Sequence, residues 1–328
     1  MPINYLLVFS TGFLLSIFFI AISRKIVLKH NLLIPQGIPL VGGIGMGLSF
    51  VLVSLFSFNL YSGLSRGIVG IIIASSIILI SGVIDDWREL SISAKFFIQI
   101  IATFLLILFG IKTQIVYIGN IPNLIITLIW ILAITNAFNH LDVIDGLAAG
   151  CAMIASLSFF IVAFLNSDTG SAILSLILTA VTLSCFIYNF PPAKIYMGNS
   201  GSHFLGFILA AIALAISYAP MERKIALLSP LLILGFPIFD TIFLILMRTK
   251  KAKSIFKKSN DHLALRFIRW GYSKNKTLLF MLSLSLYFSF SGVCLSQVSN
   301  ALGIIIIVLV SIVGLALNQK MSKVSIDG

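Results

Sequence analysis

Apolar runs of about 17 or more residues recur along almost the whole chain, each long enough to cross about 30 Å of hydrocarbon as a helix. Short polar stretches separate them. The pattern predicts eleven spans, near residues 4–22, 40–60, 67–84, 95–111, 123–140, 146–165, 171–190, 202–219, 226–247, 277–296 and 302–317. A spanning β-barrel would show short segments of alternating polarity instead. The fold class read here is therefore an all-α polytopic membrane protein, one integral membrane domain over residues 1–328. The first run lacks a basic leader and a small-residue cleavage site, and is read as a retained span.

Composition changes the picture only in its charge. The chain has 328 residues, 59% of them hydrophobic, with a mean hydropathy of +1.12. Its net charge of +12 would suggest nucleic acid in a soluble protein. In a membrane protein, basic loops set orientation and touch anionic lipid, so no nucleic-acid partner is expected. Eighteen of the 22 Lys and Arg residues fall in loops 24–39, 85–95, 141–145, 191–201 and 248–276 and the C-terminus. Only Arg66, Lys112, Arg223 and Lys224 fall in the alternate loops. This asymmetry predicts an outside N-terminus and a cytoplasmic C-terminus. Cys151, Cys185 and Cys294 lie inside predicted spans without metal spacing and are read as core filler.

Six of the ten acidic residues, Asp85, Asp86, Asp142, Asp145, Asp240 and Asp261, then fall toward the predicted cytoplasmic face. Of the others, Glu89 joins that face, Asp168 and Glu222 lie in short outer loops, and Asp327 is in the tail. A carboxylate near a bilayer costs several kcal/mol unless paired, hydrated or metal-bound. Acids gathered in this way point to a membrane-embedded site that holds a cation and polyphosphate.

Four segments carry the candidate chemistry. Asp85-Asp86 closes the third span, where two adjacent carboxylates call for a divalent cation or an ammonium, with Lys95 a candidate. Asn136, Asn139 and Asp142 recur at helical spacing on one face, and Asp145-Gly146 follows with a turn; this suits a polar ligand. Gly198-Asn199-Ser200-Gly201-Ser202 leads into the eighth span, where backbone N–H groups and a helix dipole favour phosphate. The basic loop contributes Ser259, Asn260, Asp261 and His262, with Arg266 and Arg269 as cations for phosphates. His140 and His203 are read as hydrogen-bonding support. Asp240 sits inside a predicted span, which makes it either a functional acid or half of a structural pair.

Taken in order, these segments resemble the polyprenyl-phosphate N-acetylhexosamine-1-phosphate transferases, relatives of the phospho-MurNAc-pentapeptide translocase that start cell-surface glycans. The resemblance runs from Ile34-Pro35 and Pro39-Leu40-Val41-Gly42-Gly43 through Gly271. It implies a transferase that moves an N-acetyl-amino-sugar 1-phosphate from a UDP-sugar to undecaprenyl phosphate. UMP is released, Mg²⁺ or Mn²⁺ serves as cofactor, and the setting is a bacterial inner membrane. The products would be O-antigen, lipopolysaccharide or cell-wall precursors, and a homodimer is left open. By residue it implies catalytic roles for Asp85, Asp86, Asp142, Asp145 and His262. It implies substrate contacts for Lys95, Asn136, Asn139, Tyr196, Gly198, Ser200, Gly201, Ser202 and Arg266, with Tyr196 placed to stack on uracil. Metal ligation falls to Asp86, Asp145 and Asn199.

Three positions depart from the family pattern. Asn199 stands where a metal-ligating Asp is usual, Ala264 and Leu265 replace further histidines, and Val143 replaces a Gly. An amide oxygen can bind Mg²⁺ without supplying charge, so affinity should fall. These departures keep a weakened or inactive homologue as one alternative reading. A lipid-linked glycan transporter is a second, disfavoured because no internal repeat is visible and the acids sit at helix ends. A phosphotransferase of the CDP-alcohol type is disfavoured because Asp145-Gly146-Leu147-Ala148-Ala149 lacks the expected Arg and trailing acids.

Overall fold

A computed structural model gives the fold and describes residues 3–116, 118–218, 223–251 and 261–324. The sequence expectations for Ser259, Asn260, Glu222 and Asp327 lie outside the described residues. Thirteen α-helices follow in order. They are α1 (Tyr5–His30), α2 (Gly42–Tyr61), α3 (Arg66–Trp87), α4 (Ile92–Leu108), α5 (Asn120–Leu141), α6 (Leu147–Leu165) and α7 (Thr169–Asn189). Then come α8 (Gly198–Ala215), α9 (Ser229–Ile233), α10 (Gly235–Lys250), α11 (Leu263–Arg269), α12 (Lys274–Gln297) and α13 (Asn300–Ser322).

Among the described residues, nine of these helices are long and apolar enough to span a membrane. The protein is a multi-pass membrane protein. In hydrocarbon every backbone N–H and C=O must be satisfied within the protein, and helices do this inside each segment. The remaining two of the eleven predicted spans also find helices. One is the seventeen-residue apolar α4; the other is a broken helix. The stretch predicted as one span over 226–247 bends by 67° between Lys224–Ile233 and Gly235–Lys250. The carbonyl of Ile233 freed at the bend accepts the Ser289 hydroxyl at 2.7 Å. A Cβ on Gly235 would come within 2.6 Å of Phe288, so the bend is also where α12 packs closest.

The centre of the bundle is α8, 83% of whose apolar window is buried, and α13 is the least enclosed, with 11%. The α8 stretch Ser200–Ala213 is buried throughout, rich in Gly, Ala and Ser that let neighbouring backbones approach. Gly206 is one such contact: a Cβ there would meet the Ile134 carbonyl and Thr135 Cα of α5 at 2.7 Å. Because adjacent helices alternate in direction, the C-terminal ends of α3, α5 and α7 meet the N-terminal ends of α4, α6 and α8. The polar residues Asp85, Asp86, Asn139, Asp142, Asp145 and Gly198–Ser202 singled out in the sequence sit at that end.

Candidate active site

The site is organised around the N-terminus of α8. Gly198 opens the helix at φ +74°, a conformation that suits glycine. It leaves room for Asp86, whose Oδ2 would lie 2.4 Å from a Cβ on Gly198. Asp86 Oδ1 accepts the Asn199 N–H at 2.7 Å and Oδ2 accepts the Ser200 N–H at 3.1 Å. A helix N-terminus favours an anion, and here the anion is the protein's own carboxylate. The same turn is gripped through glycines. A Cβ on Gly43 would sit 2.2 Å from the Gly201 nitrogen, and one on Gly82 would sit 2.4 Å from Ser200 Cα.

Two N–H groups of the Gly/Ser turn, expected to cradle phosphate, are donated to Asp86 in this structure. Ser200, Gly201 and Ser202 are buried and build the junction between α2, α3 and α8 rather than facing a ligand. Asn199 is half-buried, and its Oδ1 accepts Asn139 Nδ2 at 3.0 Å; the same Nδ2 donates to Ser202 Oγ at 3.0 Å. Asn136 and Asn139 were expected on one ligand-facing stripe. They diverge: Asn136 Nδ2 donates to Gln99 Oε1 of α4 at 2.9 Å while Asn139 serves α8.

Beyond Leu141, where α5 ends, Asp142 and Asp145 occupy the short connection to α6. Burial pushes the Asp142 carboxyl up to about 7, helped by the nearby Asp86 and Asp145 carboxylates. Asp86 at the end of α3 and the two acids of the α5–α6 connection therefore share one field. Tyr196 belongs to the same group, its phenol raised from its ordinary value by burial and then by Asp145 and Asp142. Parallel backbone pairing holds Tyr196: its N–H donates to the Pro39 carbonyl at 2.8 Å, and its own carbonyl accepts the Gly42 N–H at 3.1 Å. The Pro39–Gly43 stretch thus serves the site by fixing the loop that carries Tyr196.

One functional residue escaped the sequence reading. Asn189, at the end of α7, is buried; its Oδ1 accepts the Gly146 N–H at 2.8 Å and its Nδ2 donates to the Ile195 carbonyl at 2.9 Å. It ties the Asp142–Gly146 turn to the loop that carries Tyr196, and Asp145 Oδ2 accepts the Ala193 N–H across the same gap at 3.4 Å. A single Asn ahead of Pro191-Pro192 gives no periodic signal. Asn189→Ala leaves a buried donor and a buried acceptor unpaired, each worth roughly 1–3 kcal/mol. The expected outcome is a clearly lowered melting temperature in detergent.

Asp85 is buried and faces away from Asp86. Its Oδ2 lies 2.7 Å from Lys95 Nζ, and its Oδ1 accepts the Leu90 N–H at 2.7 Å. It holds the half-buried Lys95 at the site's edge beside Gln99 and His203, which line the same small cavity. His140, at the end of α5, connects this group to a second one. Its ring centroid is 6.4 Å from that of His262. His262 is buried with its Nδ1 3.5 Å from Asp240 Oδ2, and Asp240 Oδ1 accepts the Leu263 N–H at 3.2 Å. Asp240 is therefore the structural partner of the α11 start. Arg266, expected to meet substrate phosphates, is 1% exposed, and its guanidinium donates to Asp261 at 3.0 Å and to the Met321 carbonyl at 3.1 Å. The structure thus places Arg266 inside the fold, bonded to Asp261 and the last turn of α13.

The candidate residues so divide into two sets. Asp86, Lys95, Asn136, Asn139, Asp142, Asp145, Tyr196, Gly198 and Asn199 are partly exposed and can meet a ligand. Asp85, Ser200, Gly201, Ser202, His262 and Arg266 are buried. Among the described residues no three His, Cys, Asp or Glu side chains converge closely enough to hold an ion unaided. The donor set still suits Mg²⁺, which is commonly held by one or two carboxylates with waters and substrate phosphates completing the shell. Asp142, whose carboxyl is pushed up by burial and then by its acidic neighbours, is a carboxylate that a divalent cation would relieve.

Comparison with known proteins gives a consistent picture. The profile of glycosyl transferase family 4 matches residues 68–217, the segment from α3 to just past the end of α8. The chain is 29% identical over 293 residues to a probable undecaprenyl-phosphate N-acetylglucosaminyl 1-phosphate transferase of Bacillus subtilis, covering 87% of this chain and 79% of that protein. It is 32% identical over 276 residues to the decaprenyl-phosphate N-acetylglucosaminephosphotransferase of Mycobacterium tuberculosis, covering 74% and 68%. It is 31% identical over 206 residues to a phospho-N-acetylmuramoyl-pentapeptide-transferase of Streptococcus thermophilus, covering 55% and 59%.

Proposed function

We propose a function that proceeds from one fact: this chain belongs to glycosyl transferase family 4. The reaction is transfer of an N-acetylhexosamine 1-phosphate from a UDP-sugar to a polyprenyl phosphate within the membrane. A phosphate oxygen of the polyprenyl phosphate attacks the β-phosphorus of the UDP-sugar. The bond from that phosphorus to the bridging oxygen breaks, and UMP leaves with that oxygen and the electron pair. The products are UMP and a polyprenyl diphosphate sugar. Among the relatives, the Bacillus and Mycobacterium proteins are named for N-acetylglucosamine and for undecaprenyl and decaprenyl phosphate respectively, which supports this donor and acceptor class. N-Acetylglucosamine on undecaprenyl phosphate in a bacterial plasma membrane, with the site toward the cytoplasm, is the specific form proposed.

The observation that carries this reading is the group of Asp86, Asp142 and Asp145, with Lys95 and Tyr196, at the end of an apolar bundle. Phosphoryl transfer needs positioning and charge stabilisation more than covalent help from the protein. In the proposed arrangement Lys95, oriented by Asp85, meets phosphate charge, and Tyr196 offers a ring face to the uracil. Asp86 keeps the start of α8 fixed. Asp142 and Asp145 are proposed to hold Mg²⁺, which when bound neutralises the diphosphate of the donor. The test is UMP release from a panel of UDP-amino sugars by the purified protein with undecaprenyl phosphate and Mg²⁺. UMP from at least one is expected; none from any would overturn the reading.

Two further outcomes test the acidic group. The raised Asp142 carboxyl binds its proton more tightly folded than unfolded, where it titrates near 3.8. Its contribution to stability is thus complete below pH ~4 and is lost as pH rises through about 7. Melting temperature without metal should fall across that window, Asp142→Asn should flatten the slope, and millimolar Mg²⁺ should do the same in the unsubstituted protein. For Asn199, conversion to Asp adds a charge next to Asp86 and Asn139. If Asn199 adjoins the ion, Asn199→Asp should lower the Mg²⁺ concentration for half-maximal activity several-fold; an unchanged requirement would remove it from the metal's surroundings.

A further inference from the structure

We infer that the last turn of α13, through Arg266, is the positioning element for His262; this rests on the proposed function, with the His262 ring joined to the site through its 6.4 Å approach to the His140 ring at the end of α5. Four observations meet at this point. Arg266 is among the largest fully buried side chains of the molecule. Its Nη1 donates to the carbonyls of Met321, in the last turn of α13, and of Val324, just beyond that helix, while Nη2 donates to Asp261 Oδ1 and Nε to the Asp261 carbonyl at 3.4 Å. Its guanidinium also stacks 5.3 Å from the Phe243 ring centroid of α10. A second contact joins the same two helices, with Lys320 Nζ 4.6 Å above the Trp270 ring.

The physical logic is that of a helix cap supplied from another element. The final carbonyls of a helix have no partners of their own and carry the negative end of its dipole. A guanidinium satisfies several at once because its donors are fixed in a planar fork. The α13 window is mostly lipid-facing, yet Met321 at its tip is 0% exposed, so the tip is docked while the shaft is not. Lifting the tip would strand a buried guanidinium, which is costly, so tip and α11 hold or release together. Residue 262 is the N-cap of α11 and directly follows Asp261, the residue that Arg266 grips by side chain and backbone. The Asp240 contacts to His262 and Leu263 fix the other side. The tail therefore sets where the His262 ring stands.

The test separates this role from the direct phosphate contact that the sequence suggested for Arg266. Steady-state kinetics are measured on the full chain carrying Arg266→Gln, Arg266→Lys or Lys320→Ala. A cysteine at residue 321, Met321→Cys, is introduced into each background after Cys151, Cys185 and Cys294 are replaced by alanine, and is labelled with maleimide as a reporter of tail docking. With the tail as positioning element, Arg266→Gln lowers kcat by about 10- to 100-fold. It leaves KM for the UDP-sugar within about threefold. It also exposes residue 321 to label, and Arg266→Lys restores part of both. Lys320→Ala, at an exposed side chain, gives the same pattern in a milder form and guards against a misfolded Arg266 variant. A rise in KM with kcat unchanged, or a cysteine at 321 that stays protected while kcat falls, would overturn the inference. The labelling arm needs no turnover, so an unsubstituted protein that releases no UMP would count against the proposed function and leave the docking result readable.

Discussion

Asp86→Asn is expected to lower turnover by about 10²–10³-fold, the scale of removing one preorganised electrostatic group. The substitution keeps the shape and removes the charge that α8 is built around. Both carboxylate oxygens accept N–H groups of Asn199 and Ser200, at 2.7 and 3.1 Å. An amide offers one acceptor and presents its NH₂ to the other N–H, so one bond becomes a repulsive contact. Bonds to a charged acceptor contribute roughly 1.5–3 kcal/mol each, and the partial exposure of Asp86 places the loss toward the lower end. Gly198 gives little room for a shift, because even a Cβ added there would lie 2.4 Å from Asp86 Oδ2. The variant should therefore melt earlier as well as turn over more slowly, measured by thermal unfolding in detergent beside the UMP assay. Asp85→Asn makes the informative contrast. It frees Lys95 without touching α8, so it should cost activity with little change in melting behaviour at the α8 junction.

The second large effect is expected at a residue that has no side chain. Gly43→Ala places a methyl 2.2 Å from the Gly201 nitrogen and 2.6 Å from its Cα, and these are backbone atoms that cannot rotate away. Overpacking of this kind costs typically 1–3 kcal/mol and can exceed it, since α2 and α8 must separate. The same first turn of α8 is clasped from the other side by Gly82 against Ser200. Displacing it moves Asn199 and breaks the pairing of Gly43 N–H with the Met197 carbonyl. Loss of monodisperse protein, or a melting temperature lowered by several degrees, is the expected outcome. Gly63→Ala is the control: Gly63 also adopts a positive φ, but nothing lies within 4 Å of an added Cβ, so only local backbone strain results.

The spans were readable because hydrocarbon imposes a strict rule: a long apolar run has almost no structure open to it but a helix. The bend near Leu234 was not readable, because it is set by contacts remote in sequence, Ser289 with Ile233 and Phe288 with Gly235. Within the site, the acids stood out because a carboxylate is costly at a membrane boundary and so is seldom idle there. The sequence could not assign their partners. Asp85 and Asp86 are neighbours in the chain, yet one holds Lys95 and the other caps α8, since adjacent helical residues point about 100° apart. The Gly198–Ser202 turn reads locally as a phosphate cradle. It is a packing junction instead, because Gly43 and Gly82, more than a hundred residues earlier, close on it. Arg266 looked like one more cation of a basic loop, and only the tertiary position of Met321 and Val324 gives it an internal role.

The position of one phosphorus atom tests the central claim most directly. UDP-N-acetylglucosamine labelled with ³²P at the β-phosphate is incubated with the purified protein, undecaprenyl phosphate and Mg²⁺, and the products are separated into lipid and aqueous fractions. Transfer of sugar 1-phosphate at this site puts the label in the lipid as a diphosphate and leaves unlabelled UMP in water, and Asp86→Asn removes most of that lipid label. Label recovered as UDP, with the sugar alone on the lipid, or no labelled lipid with any UDP-amino sugar, would contradict it.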